Sequence, residues 1–282
     1  MPSPTLVAHR GFAGSLPQNT SYAVRRAGAH PETGMVEVDV QPAADGTPVV
    51  FHDSHLGTAP DGGPGLTDRE GVVWETPLAE VTAAEVLGSG ETVPTLAAVV
   101  EACPGEVRLN VELKNPGTHG IRPGAKLDDG ALATQREVWA PFVERVLDDC
   151  TGAGVLLSSF CEAALAVAGE RGAHPTAALC LTNVADGIAV ARRHDCAAIH
   201  PPVEALLADD PRVDPTGDAA GVPDTRDAVL DAAADHGWAV NVWTVQEWHE
   251  AHRLAALGVD GIIADYPGVL SSARPSHPNR RQ

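Results

Sequence analysis

The stretch VEVDVQPAADGTPVVFHD, residues 36–53, combines the pattern of a buried strand with two acidic side chains. Side chains two positions apart in a strand point to the same side, so Glu37 and Asp39 share one face. The two residues are roughly 6.6 Å apart along the strand, at about 3.3 Å per residue. The valines that alternate with them share the opposite face, where we expect them to pack against helices. The pattern therefore predicts a buried strand whose carboxylates point inward near its end.

Two unpaired carboxylates in a closed interior are costly, so the same pattern predicts a compensating cation. Carboxylate oxygens are the ligands that a hard ion such as Mg²⁺ or Ca²⁺ takes. A pair of surface acids on an edge strand is the alternative, but the alternating valines favour the buried strand. We therefore interpret Glu37 and Asp39 as metal ligands.

The stretch RLNVELKN, residues 108–115, repeats this arrangement with one change. Glu112 and Lys114 are again two positions apart, so they share a face. Lys114 is one of only two lysines in a chain whose positive charge is otherwise arginine. We interpret Glu112 as a third metal ligand and Lys114 as an ammonium group that faces a phosphate. A simple ion pair at the strand end is the alternative.

Histidines and an arginine lie at the ends of two apolar segments. The first segment ends in VAHRG, residues 7–11, and another ends at His52. His9 and His52, which lie near acidic residues, suit a general acid and a general base. Arg10 suits phosphate binding through its planar guanidinium group, and Gly11 permits a tight turn. A plain structural histidine is the alternative at both positions.

Short β-branched segments alternate with Ala-rich amphipathic segments along the whole chain. The predicted strands are 5–9, 35–41, 107–114, 155–160, 177–181, 197–200, 239–244 and 261–264. The predicted helices are 21–29, 96–102, 131–149, 162–171, 184–194, 226–236 and 247–257. Alternation of this kind predicts a parallel sheet, and eight strands are the number that closes a (β/α)8 TIM barrel. An open doubly wound sheet is the alternative, but no G-x-G-x-x-G sequence follows the first strand.

Two segments depart from this alternation. Residues 53–91 are rich in Gly, Asp, Thr and Pro, and we interpret them as a small insertion after the second strand. Residues 274–282, RPSHPNRRQ, are predicted to be a disordered tail. The remaining chain, 1–273, is predicted to be a single domain. Barrel enzymes keep their active sites at the C-terminal ends of the strands, which is where the acidic residues and histidines are expected.

The composition limits the classes of partner. The 282-residue chain carries a formal net charge of −19, which repels nucleic-acid phosphates and anionic lipid surfaces. It has no apolar run long enough for a transmembrane helix, and its N-terminus lacks the pattern of a signal peptide. The five cysteines are dispersed and form no C-x-x-C pair. We therefore predict reduced thiols, a cytoplasmic location, no nucleic-acid partner and no stable membrane association; the oligomeric state is left open.

A set of short motifs occurs in a fixed order along the chain. They are HRG (9–11), PQNT (17–20), EVD (37–39), HD (52–53), PTL (94–96), ELK (112–114), VWT (242–244) and GVDGIIADYP (258–267). Each motif is weak alone, but the ordered set resembles the glycerophosphodiester phosphodiesterase family. The resemblance covers most of the chain, and residues 128–235 match mainly in their alternation of strands and helices.

The resemblance implies a TIM barrel with a small insertion after the second strand and metal-dependent hydrolysis of a small glycerophosphodiester to glycerol 3-phosphate and an alcohol. It implies Mg²⁺ or Ca²⁺ bound by Glu37, Asp39 and Glu112, acid–base catalysis by His9 and His52, phosphate binding by Arg10 and Lys114, and a glycerol pocket lined by Trp243.

This chain departs from the family pattern at two positions. The family usually has Glu where this chain has Gln18, which keeps hydrogen-bonding capacity but loses the charge. It usually has Thr where this chain has Ala43. Three other functions stay open: a phospholipase D of the sphingomyelinase type, a lysophospholipase D, and a non-catalytic barrel that binds phosphate ligands. Loss of a histidine or an acidic ligand would indicate the non-catalytic barrel, and this sequence retains all of these residues.

Overall fold

The computed structural model describes residues 3–58, 62–172, 174–181, 183–208 and 225–270; the tail predicted at 274–282 lies outside them. The strands within these ranges are β1 (Thr5–Ala8), β2 (Thr33–Pro42), β3 (Pro48–Val50), β4 (Arg108–Leu113), β5 (Val155–Ser159), β6 (Thr176–Leu179), β7 (Ala198–His200), β8 (Ala239–Val245) and β9 (Gly261–Ala264). The helices are α1 (Ser21–Gly28), α2 (Leu78–Val81), α3 (Leu96–Ala102), α4 (Asp129–Asp149), α5 (Glu162–Arg171), α6 (Val184–Arg193), α7 (Val203–Leu207), α8 (Thr225–His236) and α9 (Trp248–Leu257).

Eight of these strands form a closed parallel barrel. The strand order is β1-β9-β8-β7-β6-β5-β4-β2, and β1 also pairs with β2, which closes the ring. The remaining strand, β3, pairs antiparallel with the end of β2, where Val50 lies opposite Val40. Because helices connect the parallel strands, the fold is the predicted (β/α)8 TIM barrel, and the open doubly wound sheet is wrong.

The interior of the barrel changes from apolar to polar along the strands. Met35 and Leu156 belong to an apolar cluster that includes interior residues of six strands. Two positions further along the same strands lie Glu37 and Ser158, which are buried and polar. Side chains two positions apart share a face, so the polar groups occupy the next layer toward the C-terminal ends of the strands. This layer contains the candidate site.

The outer face of β2 is apolar, as the alternating valines predict. Val36, Val38 and Val40 are fully buried and belong to the main core, together with Trp139 and Phe142 of α4. The carboxylates of β2 therefore point inward because its valines pack outward.

The insertion after the second barrel strand has an apolar core of its own. This core consists of Ala43, Val49, Phe51, Leu56, Val73, Val81, Ala84, Val86 and Val93. Most of the segment is irregular, apart from β3, α2, a 3-10 turn at Val73–Glu75 and isolated bridges. The sequence predicts an insertion here but not which residues form its core, because its apolar residues follow neither helical nor strand periodicity.

Two short helices, α2 and α7, are missing from the prediction because four and five residues are too few for a periodic pattern. The predicted start of α4 at residue 131 moves to Asp129, since the Asp128 side chain caps the helix by accepting from the Ala131 amide.

All five cysteines are free thiols, and four of them are buried. Among the described helices, none has the length and apolar character needed to cross a membrane.

Candidate active site

The HRG motif forms a tight turn rather than the end of a strand. Strand β1 ends at Ala8, so the predicted extension to His9 is wrong. Arg10 has a φ of 50° and Gly11 a φ of 76°, both in the left-handed region that breaks a strand. A Cβ at Gly11 would lie 2.8 Å from the Ala23 Cβ, so only glycine fits between this turn and α1.

This turn fixes the Arg10 backbone against the acidic residues. The Arg10 amide donates to Glu37 Oε2 at 2.8 Å, and its Nε lies 3.2 Å from Asp39 Oδ2. Its Nη1 donates to Gln18 Oε1 at 2.8 Å. Gln18 is therefore a neutral partner of Arg10, in a position where the family that the motifs resemble usually has Glu.

The rest of the PQNT motif connects the same region to α1. Asn19 donates to Asp39 Oδ2 at 2.8 Å and accepts from the Asp39 amide at 3.2 Å. Thr20 caps α1 by accepting from the Ala23 amide. The motif thus orients Asp39 through its third residue and starts a helix through its fourth.

Three carboxylates from two neighbouring strands form one cluster. Glu37 and Asp39 on β2 face Glu112 on β4, and the register pairs Asp39 with Glu112. One oxygen from each residue lies within 4.8 Å of the other two, and all three residues are buried. Lys114 Nζ lies 3.1 Å from Glu112 Oε1 and 3.5 Å from Asp39 Oδ1.

The surroundings shift the carboxyl groups in opposite directions. Burial, followed by the charges of Asp39 and Glu112, raises the pKa of Glu37 well above its ordinary value. Burial acts in the same direction on Asp39, but Arg10 and Lys114 are among the cations that outweigh it and hold its pKa below the ordinary value. Neighbouring cations therefore balance the negative charge of Asp39, whereas they leave the negative charge of Glu37 insufficiently balanced.

The cluster fits a divalent cation. Glu37 Oε1 is buried and has no hydrogen-bond partner among the described residues. The three carboxylates outnumber the two cations, Arg10 and Lys114, so the site alone would repel a phosphate. A hard divalent ion would satisfy the free oxygen and reverse the sign of the local charge.

Both predicted histidines are held by carboxylates. His9 Nδ1 lies 2.6 Å from Asp265 Oδ1, and Gln246 donates to the other Asp265 oxygen at 2.7 Å. His52 Nδ1 lies 2.6 Å from Asp53 Oδ1. A carboxylate can only accept, so each Nδ1 carries the proton and each Nε2 is left for proton exchange.

A single pocket with an empty volume of about 420 Å³ joins these groups. It is lined by His9, Arg10, Glu37, His52, Asn110, Glu112, Lys114, Ser158, Phe160, Leu179, Trp243, Thr244 and Ile263. Phe160 and Trp243 meet edge to face at 5.4 Å, and Trp243 Nε1 donates to the His200 carbonyl at 2.8 Å. The indole is therefore held as one wall of the pocket.

All the site residues selected from the sequence lie in this region, and only Asp39 is beneath the pocket surface. Asp265, Asn110 and Ser158 received no role from the sequence, although Asp265 lies within the GVDGIIADYP motif. Asn110 lies two positions before Glu112 on the same strand face, so strand alternation could have found it. Asp265 lies 256 positions from His9, and no local pattern indicates that contact.

The sequence matches the profile of the glycerophosphoryl diester phosphodiesterase family over residues 9–269. Over 273 residues it is 26% identical to a glycerophosphodiester phosphodiesterase of Caldanaerobacter subterraneus subsp. tengcongensis, covering 94% of this chain and 95% of the relative. Over 270 residues it is also 26% identical to the corresponding protein of Bacillus altitudinis, covering 93% and 94%.

The fold is similar to a solved Oleispira antarctica phosphodiesterase in complex with the product sn-glycerol-3-phosphate. The TM-score is 0.70 at 25% identity, and the alignment covers 96% of each chain. Profile, relatives and structure agree over nearly the whole length, as the motifs predict. The chain therefore belongs to the glycerophosphoryl diester phosphodiesterase family and is a phosphodiester hydrolase.

Proposed function

We propose that the protein hydrolyses glycerophosphodiesters to sn-glycerol 3-phosphate and an alcohol, using one divalent metal ion and two histidines. The observation that carries the proposal is the convergence of His9, His52, Glu37 and Glu112 on one pocket. The Oleispira complex with sn-glycerol-3-phosphate supports the same product for this chain. The substrate proposed is a small soluble diester, and a cytoplasmic location stays a prediction from sequence.

The metal site is proposed to consist of Glu37, Asp39 and Glu112. The unpartnered Glu37 oxygen and the spacing of the three carboxylates support this assignment. When bound, Mg²⁺ or Ca²⁺ would polarise the phosphoryl oxygens and offset the negative charge of the cluster. Asn19 would keep Asp39 oriented whether or not the ion is present, because it contacts both the side chain and the amide.

The phosphate is proposed to lie between Arg10 and Lys114. Both cations flank Asp39, at 3.2 Å from Nε and 3.5 Å from Nζ, so their charges face the same part of the pocket. Burial opposes the charge of Lys114, but Glu112 and Asp39 outweigh it and raise its pKa, so the ammonium stays charged. The contacts of the Arg10 guanidinium group with Gln18 and Asp39 support this assignment, because they hold its direction.

His9 and His52 are proposed to move the protons of the reaction. One neutral ring would accept a proton at Nε2 from the attacking water or glycerol hydroxyl group. The other ring, protonated on both nitrogens, would donate its Nε2 proton to the oxygen of the departing alcohol. If the glycerol hydroxyl attacks, water then opens the cyclic phosphate with the two roles reversed. The carboxylates of Asp265 and Asp53 hold the Nδ1 atoms of the two rings. Either histidine can fill either role in this geometry, so the assignment of acid and base is left open.

The first test is release of sn-glycerol 3-phosphate from glycerophosphocholine, glycerophosphoethanolamine and glycerophosphoglycerol. We expect release to stop in EDTA and to return with Mg²⁺ or Ca²⁺, because the carboxylate cluster alone repels the substrate phosphate. Product formation would be measured with a coupled enzyme assay, and the same reactions would be repeated with a lysophospholipid. Full activity in EDTA would contradict the metal assignment, and hydrolysis of the lysophospholipid alone would favour the lysophospholipase D.

We expect Asp265→Asn to lower kcat by about 10- to 1,000-fold while leaving KM nearly unchanged. An amide can donate to His9 Nδ1, which would stabilise the ring tautomer with its proton on Nε2 and block proton transfer there. The measurement is steady-state kinetics on glycerophosphocholine at saturating metal.

The matched control is Asp260→Asn, because Asp260 also forms a hydrogen bond near the same strand, accepting from the Val240 amide at 2.9 Å. That variant should keep the wild-type kcat. Equal losses in the two variants, or a loss at Asp265 confined to KM, would contradict a positioning role for Asp265.

A further inference from the structure

Two buried polar atoms in the wall of the pocket lack partners. Asn110 Oδ1 and Ser158 Oγ have no hydrogen-bond partner among the described residues. The side chains are almost fully buried, with exposures of 1% for Asn110 and 0% for Ser158. Both nevertheless line the pocket that contains the histidines. Buried polar groups are normally hydrogen-bonded, so two free ones at the same pocket call for a ligand.

Their position relative to the carboxylates is fixed by the strand register. Asn110 on β4 pairs with Glu37 on β2, and Ser158 on β5 pairs with Glu112 on β4. Each free polar group is therefore the immediate cross-strand neighbour of a carboxylate assigned to the metal. A molecule whose phosphate is held at Arg10 and Lys114 would have its adjoining atoms within this part of the barrel.

The remaining lining residues give the pocket an apolar side. Phe160, Leu179, Trp243 and Ile263 supply aromatic and aliphatic surface. Lys114 Nζ lies 5.9 Å from the centroid of the Phe160 ring. A second cation near that ring would be repelled, so a choline or ethanolamine group is disfavoured there. A short polyol, with hydroxyl groups on one side and C–H groups on the other, matches both surfaces.

We propose that Asn110 and Ser158 bind the hydroxyl groups of the glycerol moiety and so determine the specificity for glycerol over other alcohols on that side of the phosphate. The proposal rests on the proposed function and specifies how the same site recognises its substrate. The glycerol lies inside the barrel, and the alcohol of the headgroup lies toward solvent. Removing either polar group leaves a glycerol hydroxyl buried without a partner, which selectively weakens binding of the glycerol substrate.

The test compares two diesters that differ by one hydroxyl group. One is glycerophosphocholine, and the other is the phosphocholine diester of propane-1,2-diol, which lacks only the terminal hydroxyl. Wild-type protein should prefer glycerophosphocholine by roughly 10- to 100-fold in kcat/KM. Of Ser158→Ala and Asn110→Ala, the variant that removes the partner of the terminal hydroxyl should lose this preference, because only glycerophosphocholine carries that hydroxyl. The other variant should weaken both diesters.

Ser159→Ala is the matched control. Ser159 is the next residue on β5, but its hydroxyl donates to the Leu113 carbonyl at 2.8 Å and is absent from the pocket lining. Ser159→Ala should lower the melting temperature and keep the substrate preference. Ser158→Ala should keep the melting temperature, because it removes a hydroxyl group that has no partner in the described protein, and it should lower kcat/KM for glycerophosphocholine.

Binding of the products separates this proposal from the proposed function. Calorimetry with sn-glycerol 3-phosphate and with propanediol 1-phosphate, in the presence of Mg²⁺, gives the same comparison without turnover. Wild-type protein that hydrolyses neither diester would overturn the proposed function, while tighter binding of the glycerol compound, lost in the variants, would still support this inference. An equal fall on both compounds in both variants, or a fall in Mg²⁺ affinity alone, would overturn it and make the two residues supports of the metal site.

Discussion

The His9→Ala and His52→Ala variants are expected to lose about 10²- to 10⁴-fold in kcat while they still fold and bind metal. Each histidine places Nε2 at the pocket because a carboxylate holds its Nδ1 at 2.6 Å. No other described residue that lines the pocket is a histidine, so neither role has an obvious replacement. The loss should appear in single-turnover experiments, since it concerns the chemical step rather than product release.

Two controls separate proton transfer from a loss of structure. His236→Ala removes a histidine that stacks on Trp238 with ring centroids 4.8 Å apart and is exposed. It should retain the wild-type rate. The kcat of the double variant of His9 and His52 should be only slightly below that of the less active single variant, because the effects of residues that act in one step are not additive. A near wild-type rate in either single variant would contradict the acid–base assignment.

The parts of the site that the sequence predicts are those with a local pattern. Glu37 and Asp39, and then Glu112 and Lys114, follow the two-residue period of a strand, so their common orientation can be read without a structure. Barrel closure could be predicted from the number of alternating strands, because each segment carries its own apolar periodicity. These inferences depend on neighbours in the chain, which the sequence displays directly.

The parts that the sequence does not predict depend on the closed ring or on the backbone. Asp265 meets His9 only because β9 pairs with β1, with Ala264 beside Ala8 at the ends of the two strands. The left-handed φ of Arg10 turns its amide toward Glu37, and arginine has no general preference for that conformation. Both contacts arise from tertiary structure, so residue type alone gives no signal for them.

Glu37→Gln is expected to weaken metal binding by 100-fold or more, on the order of the loss of one charged ligand in a three-carboxylate site. The substitution keeps an oxygen that can accept from the Arg10 amide, so the local backbone contact survives. It removes the charge from the carboxyl group whose second oxygen has no described partner. Isothermal titration calorimetry with Mg²⁺ and Ca²⁺ measures the change in metal affinity. The matched control is Glu162→Gln, which alters a buried carboxylate paired with Arg193 and His194.

The same variant should change stability in opposite directions with and without metal. In wild-type protein a metal ion at 100 times its Kd adds about 2.7 kcal/mol to the free energy of unfolding, and Glu37→Gln should lose most of this gain. Without metal the variant should be the more stable protein, because burial and the charges of Asp39 and Glu112 oppose ionisation of Glu37.

The pH dependence of stability tests independently whether Glu37→Gln stabilises the metal-free protein. The raised pKa of Glu37 means that the folded metal-free protein binds a proton more tightly than the unfolded chain does. The stability that protonated Glu37 contributes is therefore present at low pH and is lost as the pH rises through the folded-state pKa. Metal affinity increases over the same range, because protons and metal compete for the carboxylate. Thermal melts of wild type and Glu37→Gln in EDTA, across that range, should converge at acidic pH and separate at neutral pH. Parallel curves, or an unchanged metal affinity in the variant, would place the metal site elsewhere.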